Sequence, residues 1–278
     1  MIDLGCKIVG IFAVENSYLE LELKRHNIHY KKILNKDDLI ADIMCHDFDC
    51  LVSNGCPYIL PVSKMKKGNQ LFINIHPSLL PDLKGKHPIN GALLYNRKHG
   101  VTCHHMDDGI DTGKIISQFE IPIDAQVDLA LLYQISFKAE GQVFKIAYEN
   151  YFIPQKILIL EKNPIYYSRK DEDLIITEQD DFKKILNKIR AFGIPSLCAR
   201  FYRNGKEYKI LSVSIINSDT VNRIVEDYES YKVIWIYDNN VIVKYSNFIV
   251  KFTLININNL EIGDDFFGFK IKGVEQFE

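Results

Sequence analysis

Three polar residues have the types and the order that suit moving an acyl group onto an amine. Asn74 and His76 are two residues apart, between the apolar residues 71–73 and the turn-forming pair at 77–78, and Asp111 lies between two glycines further on. If Asn74 and His76 end a β-strand, their side chains share one face, because side chains alternate along a strand. The sequence therefore predicts an amide and an imidazole at a sheet edge, where parallel sheets commonly bind ligands.

Acyl transfer to an amine passes through a tetrahedral intermediate with negative charge on the carbonyl oxygen, and one donor aimed at that oxygen contributes a few kcal/mol. Asn74 is a neutral donor for this task. His76 can donate to the same oxygen or carry the proton that the amine loses, and Asp111 can orient the imidazole, raise its pKa and accept a proton through water. A turn asparagine, a core histidine and a loop carboxylate are the structural alternatives, and spacing alone leaves them open.

Composition limits the classes of protein to consider. The formal net charge of −2 disfavours a nucleic-acid binder, since such proteins usually present a basic face. No apolar run reaches the roughly 18 residues of a membrane span, and no secretory leader is recognised. We therefore expect a cytoplasmic protein without membrane contact.

The six cysteines lack the paired spacing of a structural zinc site, so we expect reduced thiols and no metal. Cys45-His46 and the Cys-His-His run at residues 103–105 are the metal ligands that can be considered. Buried cysteines and strand histidines are the alternative to that interpretation.

Strands alternate with helices in the first half of the chain, which predicts an α/β domain with a Rossmann-like, mostly parallel sheet. The predicted strands are residues 8–14, 29–33, 50–53, 71–74, 101–106 and 114–121. The predicted helices are residues 17–25, 37–46, 88–96 and 127–148. The first strand is continuously apolar, as in a strand buried on both faces.

The pattern changes after residue 154. Asp180 is predicted to cap a helix that ends near Gly193, and strands follow it, with a hairpin at Asn204-Gly205. This predicts a smaller β-rich, barrel-like second domain. The domains are placed at residues 1–153 and 165–278.

Two segments carry a resemblance to a known family. Phe-Ile-Asn-Ile-His-Pro-Ser-Leu-Leu-Pro-Asp-Leu-Lys-Gly at residues 72–85 and Met-Asp-Asp-Gly-Ile-Asp-Thr-Gly at 106–113 resemble the signature of the folate-dependent formyltransferases. That family includes methionyl-tRNA formyltransferase, glycinamide ribonucleotide formyltransferase and the sugar N-formyltransferases. The resemblance extends weakly over residues 5–260. It implies that Asn74, His76 and Asp111 are catalytic and that 10-formyltetrahydrofolate is the formyl donor.

The resemblance also implies binding residues. The folate ring is expected near the loop after Ser53, with contacts from Tyr58, Ile59, Leu60, Pro61, Met106, Gly109 and Ile110. Ordinary core packing is the alternative for Ile59 and Leu60. The expected substrate-binding residues are Ser78, Lys84, Lys86 and His87, where the lysines either meet a pyrophosphate or are simply solvated. Asp107 and Asp108 are interpreted as loop-capping residues.

The acceptor is expected to be the amino group of a dTDP- or UDP-linked amino-deoxysugar. The chain lacks the long basic insertion by which methionyl-tRNA formyltransferases resemble one another, and residues 165–278 hold 16 Lys and Arg against 17 Asp and Glu. Methionyl-tRNA formylation, formyltetrahydrofolate hydrolysis and an inactive binding relative remain alternatives. A homodimer through the second domain, using strand 248–252, is also considered.

One feature departs from the family. Members begin with a strand and a helix before the segment matched here by residues 8–14, and only residues 1–6 stand in that place. We expect that the chain start is set too far downstream. A rebuilt sheet is the alternative.

Overall fold

The computed structural model describes residues 1–124, 126–155, 163–257 and 259–274. The chain divides into two compact units. The first comprises residues 1–85, 99–122 and 136–166, and the second comprises residues 86–98, 123–135 and 167–278. The predicted junction between residues 153 and 165 lies largely outside the described residues, and the domain boundaries stay predictions.

The first unit is built on a four-stranded sheet whose strand order is β3-β4-β5-β6. These strands are β3 (Cys50–Asn54), β4 (Leu71–His76), β5 (His99–His105) and β6 (Ile115–Ile121). Strands β3 and β4 are parallel, whereas β4–β5 and β5–β6 are antiparallel. Side chains from β4 and β5 are buried at the centre of this sheet, among them Ile73, Val101 and Cys103. The central strands thus form a rigid support for the residues at the end of β4.

Helices alternate with the strands along the chain, as the sequence pattern predicts. They are α1 (Tyr18–Arg25), α2 (Lys36–Met44), the short α3 (Val62–Met65), α4 (Pro88–Leu94) and α5 (Leu129–Glu149), although α4 belongs to the second unit. Ser17 caps α1 and Asn35 caps α2, because their side-chain oxygens accept the amides of Glu20 and Asp38. In the described ranges, no helix is both long and apolar enough to cross a membrane. The α/β class is confirmed.

The predicted buried strand at residues 8–14 is wrong for most of its length. Only β1 (Phe12–Ala13) forms, and it pairs in parallel with β2 (Lys31–Lys32) in a separate two-stranded sheet. Ile8 and Val9 are 37% and 45% exposed. Apolar sequence alone does not make a strand, because each strand also needs a neighbour to accept its backbone hydrogen bonds. Here that pairing is limited to two residues.

The second unit contains α6 (Phe182–Phe192), the short helix α7 (Asp219–Ile224) and a five-stranded antiparallel sheet of order β7-β8-β11-β10-β9. Its strands are β7 (Ala199–Arg203), β8 (Lys206–Ile216), β9 (Lys232–Tyr237), β10 (Asn240–Lys244) and β11 (Ile249–Leu254). Within the described residues β7 and β9 are its edges, so this sheet is β-rich as predicted but does not close into a barrel. The predicted hairpin at Asn204-Gly205 is present, with φ angles of 51° and 74°.

Strand β11 is central rather than peripheral, which corrects the expectation that residues 248–252 offer an exposed strand for dimerisation. It lies between β8 and β10. Val250 and Phe252 are fully buried, and the ring of Phe252 stacks on that of Phe266 with centroids 4.6 Å apart. This strand therefore belongs to the core of the second unit.

The helix α6 begins one residue later than predicted. Asp181 is its N-cap, accepting the amide of Lys184 at 2.7 Å. Asp180 is instead buried and paired, with Lys188 Nζ 2.7 Å and Lys184 Nζ 2.6 Å from its carboxylate oxygens. Burial raises the pKa of Asp180, but the two lysines and the amide of Thr177 together lower it by more. The net pKa is therefore below the ordinary value. Two adjacent aspartates cannot be told apart by sequence.

This ion pair gives a stability prediction. Lys188→Met should lower the free energy of unfolding by about 3–5 kcal/mol, because it leaves a buried carboxylate without its buried partner. Lys184→Met is the matched control: its side chain is 56% exposed and contacts the same carboxylate, so we expect a loss below about 1 kcal/mol. Urea unfolding at neutral pH measures both. Equal losses in the two variants would contradict the prediction.

Candidate active site

The end of strand β4 carries Asn74 and His76 on one face, as predicted. Ile73 precedes Asn74, and Ile75 lies between Asn74 and His76. Their side chains are on the other face of the strand and are buried in the core. Strand β5 runs antiparallel to β4 and places His104 opposite Asn74 and Thr102 opposite His76. Because directly paired residues in a sheet lie on the same face, two histidines and an asparagine are brought together.

The loop between β5 and β6 brings the third residue to this face. Asp107 shapes the loop by accepting the amide of Gly109 and the hydroxyl of Thr112. Gly113 lies so close to β5 that a Cβ on it would stand 1.7 Å from the carbonyl oxygen of His105. Asp111 itself has a φ of 51°, which few residues other than glycine, asparagine and aspartate adopt. The loop is thus folded tightly around the aspartate.

The Asp111 carboxylate is the centre of the cluster. Its Oδ1 lies 3.4 Å from the amide nitrogen of Asn74 and 3.5 Å from Nε2 of His104. Its Oδ2 accepts the backbone amide of Gly85 at 3.0 Å and lies 3.6 Å from Nδ1 of His76. The amide, the imidazole and the carboxylate therefore converge closely enough to share one small ligand.

His76 is held by its second nitrogen. Nε2 lies 2.9 Å from the carbonyl oxygen of Leu83, which can only accept, so Nε2 carries the proton and Nδ1 keeps its lone pair in the neutral ring. Burial lowers the pKa of His76, and the carboxylate of Asp111 raises it only in part. At neutral pH the ring is therefore neutral, and its free acceptor Nδ1 faces Asp111.

Asp111 is ionised at neutral pH. Burial raises its pKa, but the neighbouring imidazoles of His104 and His76 and the backbone amide of Gly85 together outweigh burial, and the net pKa lies below the ordinary value. A neutral base beside an anionic carboxylate can accept a proton and hold it briefly as an ion pair. A polarised amide beside them can stabilise an oxyanion. Together these groups suit acyl transfer.

Comparison with protein families decides the class to which this arrangement belongs. A model described as formyl transferase matches residues 13–147, and a model described as formyl transferase, C-terminal domain, matches residues 169–262. The chain belongs to the formyl transferase family. The resemblance seen in residues 72–113 is confirmed.

Curated relatives of this formyl transferase family member carry the name methionyl-tRNA formyltransferase. The protein from Syntrophus aciditrophicus is 32% identical over 173 residues, covering 60% of this chain and 54% of the relative. The protein from Syntrophomonas wolfei is 30% identical over 162 residues, covering 56% of this chain and 51% of the relative. This chain thus spans about half the length of the curated relatives it matches.

Solved structures of the family share the fold. WlaRD, a sugar 3N-formyl transferase crystallised with dTDP and 5-N-formyl-THF, has a TM-score of 0.62 at 24% identity, covering 90% of this chain and 88% of its own. The N-formyltransferase from Helicobacter canadensis, in complex with folinic acid and dTDP-3-aminofucose, has a TM-score of 0.59 at 22% identity, covering 86% and 82%. At these identities the likeness concerns the fold.

The residues expected to contact folate are partly exposed and partly core in this family member. Ile59 is 51% exposed and Ile110 is 39% exposed, so both can meet a ligand. Leu60 is buried with Phe72 in a cluster on which Tyr58 and Met106 pack. The Leu60 side chain therefore has the packing role that was the alternative for it. Gly109 is exposed, in the loop that carries Asp111.

The four expected substrate-binding residues differ in availability. Ser78 is fully buried and its hydroxyl donates to the carbonyl of Asp82, so in this structure its side chain cannot reach a substrate. Lys84 is half-buried in the first unit, and Lys86 is exposed in the second. His87 accepts the amide of Arg169. Burial, Arg169 and Lys86 lower the pKa of His87 to about 4, so it offers no positive charge to a pyrophosphate at neutral pH.

His104 is the site residue that the sequence left among possible metal ligands. It is 2% exposed and touches both Asn74 and Asp111. Strand periodicity in the sequence could have placed His104 and Thr102 on one face of β5. It could not have shown that His104 lies opposite Asn74, because that depends on the register between β4 and β5. Among the described residues, no group of three or more His, Cys, Asp or Glu side chains is arranged to hold a metal.

The pKa of His76 gives a test of the cluster's electrostatics. We expect His76 to titrate below 6.5 in NMR spectra of the folded protein, and its pKa to fall further in Asp111→Asn, because the carboxylate stabilises the protonated ring. Asp108→Asn is the control, since that exposed carboxylate lies in the same loop but accepts the amide of Ser63 in α3. An unchanged or higher His76 pKa in Asp111→Asn would contradict the arrangement.

Proposed function

We propose that this chain transfers a formyl group from 10-formyltetrahydrofolate to the amino group of a nucleotide-linked amino-deoxysugar. The observation that carries the proposal is the convergence of Asn74, His76 and Asp111 at the end of β4. Family membership supports the choice of formyl transfer over other acyl transfers. Residues 1–153 are proposed as the catalytic domain and residues 165–278 as the accessory domain.

The reaction assigns a separate role to each group. The amine nitrogen attacks the formyl carbon, and the carbonyl oxygen gains the charge that the Asn74 amide stabilises. His76 Nδ1 accepts the proton that the amine loses, directly or through water, and Asp111 stabilises the imidazolium. The intermediate then collapses. The bond from the formyl carbon to N10 of the folate breaks, and His76 passes the proton taken from the amine to N10. Products are the formamide and tetrahydrofolate.

The depressed pKa of His76 suits a shuttle better than a permanent donor. At neutral pH its Nδ1 has no proton to offer an oxyanion, whereas its lone pair is available to a proton leaving the amine. Burial makes the protonated ring a good acid, so the proton passes on readily to the leaving nitrogen. Of the two roles considered for His76, this one fits the observed hydrogen bonds.

The acceptor is proposed from charge and from the relatives. Residues 165–278 carry 16 Lys and Arg against 17 Asp and Glu, which is a poor surface for the several phosphate contacts of a tRNA. Two solved relatives were crystallised with dTDP or dTDP-3-aminofucose and a formyl-folate. We therefore favour a dTDP- or UDP-linked amino sugar, with Lys84 and Lys86 as candidates for its pyrophosphate. The homodimer also stays a proposal, without strand β11 as its interface.

Methionyl-tRNA formylation is the second candidate, because the curated relatives bear that name. It makes a different demand on the protein: binding must weaken steeply with salt, since tRNA affinity depends on released counterions. A nucleotide sugar carries few charges and its binding should change little. Salt dependence therefore separates the two acceptors.

The test is incubation of the purified chain with 10-formyltetrahydrofolate and a panel of dTDP- and UDP-amino sugars, beside methionyl-tRNA. We expect one amino sugar to gain the mass of a formyl group, and its counterpart with a hydroxyl in place of the amine to remain unchanged. Formylation of methionyl-tRNA alone would reject the sugar assignment. Loss of formyl-folate without any formylated product would identify a hydrolase.

A further inference from the structure

A histidine outside the trio Asn74, His76 and Asp111 contacts the asparagine within it. His104 lies on β5 directly opposite Asn74, and its Nε2 is 3.2 Å from the Asn74 amide nitrogen. It is buried and has no place in the transfer step described above. Its Nε2 nevertheless lies within reach of both Asn74 and Asp111.

The proton on His104 is placed by the backbone. Nδ1 lies 2.7 Å from the carbonyl oxygen of His105, which can only accept, so Nδ1 carries the hydrogen. In the neutral ring Nε2 is therefore a lone-pair acceptor. Gly113 lies against the same carbonyl group, where a Cβ would stand 1.7 Å from the oxygen. The tight loop thus supports the group that sets the tautomer of His104.

That acceptor fixes the orientation of the Asn74 amide. One N–H of Asn74 donates to Nε2 of His104, and the other points to Asp111 Oδ1 over a long 3.4 Å. A flipped amide would set its carbonyl oxygen against a lone pair and a carboxylate, two acceptors without a proton between them. The contact to Asp111 is longer than an ordinary hydrogen bond, so this second N–H is available to a developing oxyanion while the bond to His104 keeps the amide in place.

We propose that His104 is a positioning residue for formyl transfer, which acts by holding the Asn74 amide with an N–H group towards the formyl oxygen. The inference rests on the proposed function for its kinetic consequence. His104 touches neither the formyl group nor the amine, and its effect passes entirely through Asn74. It should therefore alter turnover rather than binding.

Two substitutions separate positioning from packing. His104→Leu removes the acceptor, and we expect kcat to fall by about 10- to 100-fold, less than the loss of an entire oxyanion donor, with KM values changed by less than about threefold. His104→Gln can offer its amide oxygen to Asn74 and should recover kcat to within about fivefold of the parent chain. A loss confined to KM, or equal losses in both variants, would overturn the proposal.

A double-mutant cycle tests whether His104 acts through Asn74. In an Asn74→Ala background the further change His104→Leu should cost less than about twofold in kcat, because the group it positions is already gone. If the two losses instead multiply, His104 acts independently of Asn74 and the proposal fails. Thermal unfolding of each variant accompanies the kinetics, so that a folding defect is recognised as such.

An NMR measurement tests the inference without any substrate. In ¹⁵N-labelled protein, long-range correlation spectra of the imidazoles should show His104 protonated at Nδ1 and unprotonated at Nε2, and Asn74→Ala should shift the Nε2 resonance towards that of a free acceptor. A proton on Nε2 would overturn the proposal, whichever molecule receives the formyl group. An absence of formylated product with the expected tautomer would reject the proposed function alone.

Discussion

Asp111→Asn is expected to lower kcat by about 10³-fold, within the range that a general acid–base group contributes. The substitution removes the negative charge that stabilises protonated His76 and keeps a group of the same shape. Asparagine tolerates the φ of 51° at this position, and its side-chain oxygen can still accept the Gly85 amide. Steady-state formyl transfer to the acceptor identified by the panel measures the loss.

The matched control for this change is Asp108→Asn in the same loop, where the carboxylate is exposed and caps the amide of Ser63. We expect it to keep kcat within about twofold, as is usual for surface changes away from the chemistry. The unfolding midpoint of Asp111→Asn should stay close to that of the parent chain. A fully active Asp111→Asn variant would remove the carboxylate from the mechanism.

His76→Gln is expected to lower kcat by about 10²–10⁴-fold. Glutamine can replace Nε2 as the donor to the carbonyl of Leu83, so the buried hydrogen bond survives. It offers no titratable nitrogen, and the amine proton loses its first acceptor. Single-turnover measurements of formyl transfer separate this chemical defect from changes in binding or product release.

Exposed His26 supplies the comparison, because it lies at the end of α1 with 64% of its side chain in solvent. His26→Gln should leave turnover unchanged. If His76→Gln retained near-normal turnover, the proton would have to leave by another route, through Asp111 and water. In that case Asp111→Asn should then be the more damaging of the two changes.

Local chemistry and strand periodicity were enough to predict the core of the site. Asn74 and His76 are two residues apart on a strand, and one apolar segment before them fixes their common face. The distance of 3.6 Å between His76 Nδ1 and Asp111 Oδ2 was not predictable, since it depends on how the loop between β5 and β6 folds against the end of β4. The donor role of His76 Nε2 was equally hidden, because its partner is a backbone carbonyl at residue 83.

The predictions from sequence that the structure corrects share one physical cause. Residues 8–11 have the apolar composition of a buried strand, but a strand requires a hydrogen-bonded neighbour that composition does not supply. Asp180 and Asp181 both suit a helix cap, and only the three-dimensional position of Lys188 assigns Asp180 to an ion pair. His104 was missed for the same reason: its role comes from the register of β4 on β5. Pairing between distant segments decided each case.

The small β1–β2 sheet has a consequence for how the first unit opens. Its strands are joined over two residue pairs, with Lys31 and Ile33 amides donating to Ile11 and Ala13 carbonyls at 2.8 Å and 2.9 Å. Hydrogen bonds so few and so near solvent break in local fluctuations, whereas those at the centre of β4 require global unfolding. Hydrogen–deuterium exchange should therefore be fast at Lys31 and Ile33 and slow in β4. Folate binding should slow exchange in β4 and leave the amides of Lys31 and Ile33 unchanged.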